Sequence, residues 1–425
     1  MPVALNEEQA VLLGDGRVLV VGSSLDATAS TALLWDPATA KWQTTGALNK
    51  QRTQFAMVPL ADGRALVTGG LNEAGQSYSS TYIFEPRAGY ETWSKVGLLG
   101  RARTSPTAAL LSDGRVLVAG GYFAIKPTSD LNQVPDVALA AYRPVSASGG
   151  AQSRFGLFDV EPPHVGAALA TAEIFDPATG NWSATGSLLY ARSGANAITL
   201  ADGRVLIVGS AAQSSTGVSV DGRAFRAAEI YDPKTGKFNL AGQLPDIDRA
   251  ALEQQGAKGA NPVPNEDPQP SNAGTLVALG DGGALLIGQS GWWKHVGDIT
   301  RSFRFDAQTN SWSEVGKTWI SIGADPGTAS LETPGVRNLS GAMVAMLSDG
   351  RVLVAGGAGA TPNGTTGSAA DGATAESFDP PTATWSPLPP LPKARAYGVI
   401  VVLKDGSALL AGGADQETSS IRFVP

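Results

Sequence analysis

Seven times along 425 residues the dipeptide Asp-Gly stands just before a short, β-branched apolar run: Asp15-Gly16, Asp62-Gly63, Asp113-Gly114, Asp202-Gly203, Asp281-Gly282, Asp349-Gly350 and Asp405-Gly406. The runs read RVLVVGS, RALVTGG, RVLVAGG, RVLIVGS, GALLIGQ, RVLVAGG and SALLAGG. Each is short for a helix and apolar nearly throughout, the pattern of a strand covered on both faces. A second strand-like run precedes each Asp-Gly, such as Phe55 to Leu60 and Val399 to Leu403. Asp-Gly between two such runs predicts a tight hairpin, because both turn positions tolerate positive φ.

A third run follows and usually ends in an acid before Pro: LLWDP, YIFEP, EIFDP, EIYDP, FRFDA and ESFDP. An aromatic then recurs at a nearly fixed offset, at Trp42, Trp93, Trp182, Phe238, Trp312 and Trp385. Asp-Pro-x-Thr-Gly makes a short turn, since Pro presets φ and Asp bonds the backbone ahead. The aromatic opens a fourth strand. Each unit is therefore a four-stranded antiparallel meander, and seven of them arranged radially leave only short, protected edges. The expected fold is all-β, a seven-bladed β-propeller forming one domain over residues 1–425, with blades opening near 7, 53, 104, 193, 272, 340 and 396. The 52 Gly and 27 Pro become repeat machinery rather than a sign of disorder.

The Gly doublets Gly69-Gly70, Gly120-Gly121, Gly356-Gly357 and Gly412-Gly413, with the acidic turn and the later Trp, resemble the kelch-repeat family. Gly22-Ser23, Gly209-Ser210 and Gly288-Gln289 depart from the doublet. The resemblance covers nearly the whole chain and speaks to fold far more than to function. The last unit stops at SSIRFVP, one strand short, while Ala4-Leu5-Asn6 matches Ala47-Leu48-Asn49 at the end of a fourth strand. Residues 1 to about 6 are thus expected to complete the seventh blade and close the ring, with the termini on the hairpin face.

The spacing between hairpins is uneven, so the excess length sits in connections. These are 122–170, 211–226, 245–271, 289–300, 316–339 and 358–374. With strands a to d from the centre outward, all six are b–c or d–a connections and leave from one face, opposite the Asp-Gly hairpins. Long connections of this kind are usually functional. That face is read as the working surface.

Its contents favour binding. Trp292, Trp293 and Trp319 lie outside the repeat's own Trp position, with Tyr122, Phe123, Tyr142, Phe155 and Phe158 nearby in sequence. Aromatics offer rigid contact area to a protein or a sugar; small cores inside the long connections are the structural alternative. Trp292-Trp293 is the preferred pair, as neighbours in a loop seldom both turn inward. Arg52, Arg103, Arg192 and Arg395 each stand ten residues before an Asp-Gly, at the expected channel mouth. There they form a one-sided basic rim able to clamp a carboxylate, or else satisfy carbonyls of the fold. Kelch proteins that bind acidic peptides look similar at that point.

The charge of -7 argues against nucleic acid or an anionic membrane surface as partner. With no Cys, disulfides, thiolate metal sites and cysteine nucleophiles are excluded. Some kelch propellers are copper radical oxidases that use two Tyr, two His and a Tyr-Cys crosslink; the missing Cys removes that cofactor. His164 and His295 both fall on the working face but lack a clear carboxylate partner for a metal, and Glu266-Asp267 lacks a calcium-loop spacing. No cofactor is expected. Other kelch enzymes isomerise sialic acid, a reading in which Arg52, Arg103, Glu253 or Glu332 would act at the channel mouth. The favoured function is recognition of a protein or glycan through the loop face, with Trp292, Trp293, His295, Trp319, Tyr122, Phe123 and the four arginines as ligand-binding residues. A channel-mouth enzyme on a sugar or small anion, and a structural part of an extracellular or viral appendage, are the alternatives. The N-terminal segment has no basic-then-apolar leader pattern, no apolar run is long enough for a membrane span, and an extracellular or surface setting is preferred.

Overall fold

The computed structural model describes residues 1–24, 29–48, 50–87, 89, 91–125, 165–209, 226–245, 269–272, 274–293, 297–315, 319–321, 341–357, 373–413 and 417–425. Blade 1 holds β1 (Asn6–Leu12), β2 (Val18–Ser23), β3 (Thr31–Asp36) and β4 (Lys41–Thr44). Blade 2 holds β5 (Ala56–Pro59), β6 (Ala65–Thr68), β7 (Ser80–Glu85) and β8 (Thr92–Leu98). In blade 3, β9 (Thr107–Leu110) and β10 (Val116–Ala119) are followed by a side hairpin, β11 (Tyr122–Ile125) and β12 (Val165–Ala168), before β13 (Ala172–Asp176) and β14 (Asn181–Ala184). Blade 4 holds β15 (Asn196–Thr199), β16 (Val205–Val208), β17 (Ala227–Asp232) and β18 (Lys237–Gln243). Blade 5 carries β19 (Gln269–Asn272), β20 (Thr275–Ala278), β21 (Ala284–Trp293), β22 (Gly297–Asp306), β23 (Ser311–Glu314) and β24 (Trp319–Ser321). Blade 6 holds β25 (Met343–Met346), β26 (Val352–Ala355), β27 (Ala375–Asp379) and β28 (Thr384–Leu388), and blade 7 holds β29 (Val399–Val402), β30 (Ala408–Ala411) and β31 (Ser420–Phe423).

Strands within each blade pair antiparallel in chain order, except that β10 pairs β13 across the β11–β12 hairpin and, in blade 5, β19 pairs β21 and β24 pairs β22. The first strands touch in the cycle β1, β5, β9, β15, β20, β25, β29 and back to β1, so the seven sheets form a closed ring. Hairpin geometry follows from the Asp-Gly dipeptide: Gly63 and Gly350 both have φ of +87°, and the Asp carboxylate accepts the N–H two residues on, as from Arg17 to Asp15 at 3.0 Å.

The core is seven layers, one at each seam between blades. In β6, Ala65 and Val67 pack with Leu19, Leu34 and Phe55 toward blade 1, while Leu66 packs with Val116, Val118 and Phe175 toward blade 3. Alternate residues feed opposite seams, which is why the second strand is apolar at every position. Each fully buried Val, Leu, Ile or Phe contributes about 1.5 to 3 kcal/mol. On the outer strands the repeat aromatic pairs with the third-strand aromatic, as Phe84 with Trp93 at 5.1 Å between ring centroids. Its indole also stitches seams: Trp312 Nε1 donates to Ala241 O at 2.9 Å and Trp42 Nε1 to Ser420 Oγ at 3.1 Å.

Blade 7 is a sheet of three strands, β29 to β31. Residues 1–5 lie beside it without strand structure: the Met1 ammonium donates to Thr418 O, and Leu5 is buried with Val401, Leu403 and Leu409. Met1 therefore sits at the loop face, and only the C-terminal end, following β31, lies at the hairpin face. Segments 122–170, 245–271, 289–300 and 316–339, expected as loops, carry strands in their described parts: β11 and β12, most of β19, the lengthened ends of β21 and β22, and β24.

Candidate functional site

The four repeat arginines are buried, with 0 to 4% exposure. Nη1 of Arg52, Arg103, Arg192 and Arg395 donates to Gly69 O, Gly120 O, Gly209 O and Gly412 O respectively, each seventeen residues on. The same side chains reach the start of the third strand, at Ser80 Oγ, Thr171 O, Ala227 O and Ser419 Oγ. They strap the two strand ends from which the b–c connection departs. In place of a solvent-facing rim, their donors satisfy backbone carbonyls, because that break in the ladder leaves acceptors in need of partners.

What balances each guanidinium differs. Arg103 pairs with Glu173 at 2.7 Å and Arg192 with Glu229 at 3.0 Å. The two carboxylates also accept N–H groups of the incoming chain, from Gly100 to Glu173 and from Leu189 to Glu229, both at 2.6 Å. At the equivalent place in blade 2 stands Tyr82, and Arg52 lies between the rings of Tyr78 and Tyr82, 4.6 and 5.0 Å from their centroids. Burial pushes the Arg103 and Arg192 guanidiniums below their ordinary range, and the carboxylates oppose that shift.

Two residues beyond each arginine the chain turns into the innermost strand through a left-handed residue. Glu7, Gln54, Ser105 and Tyr397 have φ of 50°, 51°, 47° and 60°, and Gly194, Gly274 and Gly341 serve the other blades. They ring the channel mouth at the loop face and are joined from blade to blade. Gln54 N donates to Glu7 Oε2 at 3.0 Å, Ser105 N to Gln54 O at 2.7 Å, Gly194 N to Ser105 O at 2.9 Å and Tyr397 N to Gly341 O at 2.7 Å. Ser105 Oγ adds a bond to Gln54 Oε1 at 3.0 Å. The Tyr397 ring lies flat on Gly341, where a Cβ would stand 2.8 Å from its carbons, yet Tyr397 remains 58% exposed. Left-handed backbone at non-glycine residues costs about 1 to 3 kcal/mol each and gathers at functional sites.

Sequence reasoning that looks for aromatics in the insertions does not single out this ring. The signal was present: six of the seven positions lie eight residues before an Asp-Gly, two of them glycine. Of the expected ligand-binding residues, Tyr122 and Phe123 are half-buried in β11, where Tyr122 O accepts from Thr104 N at 2.7 Å and from Ser77 Oγ at 3.1 Å. Trp292 and Trp293 are consecutive residues of β21, paired opposite Asp298 and Gly297, and Trp319 in β24 is opposite Thr300. His295, His164, Tyr142, Phe155, Phe158, Glu253, Glu266, Asp267 and Glu332 lie outside the described residues. Among the described residues no group of three His, Cys, Asp or Glu side chains is placed to hold a metal ion.

Comparison with protein-family profiles and with curated proteins returned no match. Among solved structures, a fungal alcohol oxidase of the AA5 family, in complex with copper, aligns over 99% of this chain and 74% of its own. The TM-score is 0.55 and the identity 16%, a likeness of fold.

Proposed function

We propose that this propeller is a recognition module of kelch type that engages a protein or glycan partner on the face bearing its b–c and d–a connections. The observation that carries the reading is the ring of left-handed residues at the channel mouth, hydrogen-bonded from blade 1 to blade 4 and from blade 6 to blade 7, with Tyr397, Glu7 and Gln54 exposed on it. Ala40, Asn310 and Ala383 are left-handed too, in the short turns of the opposite face, but the strained residues of the mouth lie together around the channel where the insertions emerge, which supports a surface shaped for a ligand.

The likeness to a copper oxidase does not extend to the donor set. A Tyr-Cys crosslink has no cysteine to form from, and the whole sequence holds two histidines. The sialate-isomerase-like alternative needs Arg52, Arg103, Glu253 or Glu332 at the mouth; both arginines are buried against carbonyls, and the two glutamates lie outside the described residues. Recognition needs neither.

The reading is tested by a glycan-array and pull-down screen with the full chain. Wild type is compared with a Trp292→Ala, Trp293→Ala double variant, a Gln54→Gly variant and, as control, Lys41→Ala on the hairpin face. Loss of binding in either loop-face variant with the control unaffected supports it. Binding that depends on Lys41 and ignores both loop-face variants overturns it in favour of an assembly role through the hairpin face.

A further inference from the structure

We infer that the channel mouth between blades 6 and 3 binds a neutral pyranose ring, with Tyr397 as the stacking platform and Glu7 and Gln54 as acceptors for its hydroxyls. The inference rests on the recognition reading above and names its ligand class. Tyr397 is held twice: its N–H donates to Gly341 O at 2.7 Å, and one face of its ring lies on the Gly341 backbone. A side chain at Gly341 would occupy the ring's place, so glycine there keeps the tyrosine flat. The residue is nevertheless 58% exposed at the mouth, so the tyrosine presents aromatic surface to solvent there. A rigid, amphipathic aromatic surface loses little entropy on binding, and its negative π face attracts the C–H face of a sugar ring.

The next blade presents Glu7 at the same repeat position, followed by Gln54 and Ser105 around the ring. One Glu7 oxygen accepts the Gln54 amide, and among the described residues the other has no partner. A carboxylate oxygen beside a stacking ring accepts hydroxyl hydrogens strongly. The same carboxylate, in a chain of net charge -7, repels sialic acid, uronates and sulfated sugars. The repeat arginines beneath the ring do not offset this, because their donors are spent on backbone carbonyls. The charge pattern therefore selects neutral saccharides.

The test uses the full chain on an array of neutral, sialylated and sulfated oligosaccharides, with each hit titrated by calorimetry against wild type, Tyr397→Phe, Tyr397→Gly and Glu7→Gln. Glycine suits the left-handed backbone at 397, so Tyr397→Gly is expected to melt no lower than wild type, and a loss of binding there is not unfolding. Expected are hits among neutral saccharides, at least about a tenfold weakening in Tyr397→Gly, near-wild-type affinity in Tyr397→Phe, and a few-fold weakening in Glu7→Gln. Hits confined to anionic saccharides, or neutral hits indifferent to Tyr397→Gly, overturn the inference. A protein partner lost on the Trp292, Trp293 change, with no saccharide on the array, overturns it too while the recognition reading stands. Neither kind of partner in any format overturns both.

Discussion

The Glu8 carboxylate accepts the backbone N–H of Gly413 at 2.8 Å, joining residues 405 positions apart at the seam between the last blade and the first. At other seams the second glycine of the doublet donates instead to a carbonyl of the next blade: Gly70 to Arg103 at 2.9 Å, Gly121 to Arg192 at 2.7 Å and Gly357 to Arg395 at 3.0 Å. In blade 1 the arginine position is Leu5, and a side-chain oxygen supplies the acceptor. Burial of Glu8 pushes its pKa above the ordinary carboxylate value of 4.5.

Glu8→Gln keeps that oxygen and removes the buried charge. Because the folded-state pKa is raised, the native state binds the extra proton, and this contribution to stability falls as pH rises through the window above 4.5. The variant is expected to melt at or above wild type at pH 7 and to lack that part of the decline. Glu8→Ala, which leaves Gly413 without its acceptor, is expected to melt lower by an amount equivalent to about 1 to 3 kcal/mol. Thermal melts from pH 4 to 8 distinguish the two.

Glu417, on the same side of the ring, runs the other way. The Lys393 ammonium and the Ser419 N–H hold its pKa down at about 2. Its contribution is fully present above the ordinary value of 4.5 and is lost as pH falls from there toward about 2. Glu417→Gln is expected to flatten that acid limb while leaving the limb governed by Glu8 unchanged, as read by acid unfolding followed through tryptophan fluorescence.

The Arg192–Glu229 pair is buried on both sides, at 1% and 0% side-chain exposure. Glu229→Ala strands a buried guanidinium and also frees the Leu189 and Tyr190 N–H groups, so a loss of about 3 to 5 kcal/mol in urea unfolding is expected. Arg52 has aromatic rings where Arg192 has Glu229. Tyr82→Phe, which keeps the ring, is expected to cost under about 1 kcal/mol.

Much of the propeller was legible because its signals are local and repeated: Asp-Gly sets each hairpin, and doubly apolar strands declare two covered faces. The arginines illustrate the limit. Ten residues before an Asp-Gly, an arginine could face the channel or the blade, and only the break in pairing between Gly69 and Ser80, invisible in a strand pattern, draws it inward. Tyr397 was hidden for a related reason, as its exposure depends on a left-handed turn whose sequence allows Glu, Gln, Ser, Tyr or Gly. In sequence Trp292 and Trp293 resemble loop residues, because a long insertion gives no sign that β21 and β22 continue into it.

Where Asp-Gly is not followed by Arg, the missing charge returns from another strand. In five blades the hairpin arginine binds its own Asp, and in three of them it also reaches the next blade, as Arg64 does with Asp62 and Pro177 O. Blades 5 and 7 have Gly283 and Ser407 at that position, and Arg304 and Arg422 of the third strand pair with Asp281 and Asp405 instead. Arg304 also reaches Pro380 O of the next blade, at 3.1 Å. Arg422→Ile is expected to lower the melting temperature, and adding Ser407→Arg to restore most of the loss; a double variant no better than the single would refute the exchange.

Gly63 and Gly350 share a φ of +87° but not their surroundings. A Cβ at Gly63 would stand 2.7 Å from Gly14 Cα, in the hairpin tip of the preceding blade, whereas one at Gly350 meets nothing within 4 Å. The Gly14 N–H donates to Gly63 O at 3.0 Å, so the two tips cannot part without losing that bond. Gly350→Ala therefore reports backbone strain alone, about 1 kcal/mol for a left-handed residue. Gly63→Ala adds a backbone clash between neighbouring hairpin tips and is expected to cost at least about 2 kcal/mol more in urea unfolding. Equal losses would mean that the hairpin tips do not pack against one another, and that the seams are held by the apolar layers and outer-strand indoles alone.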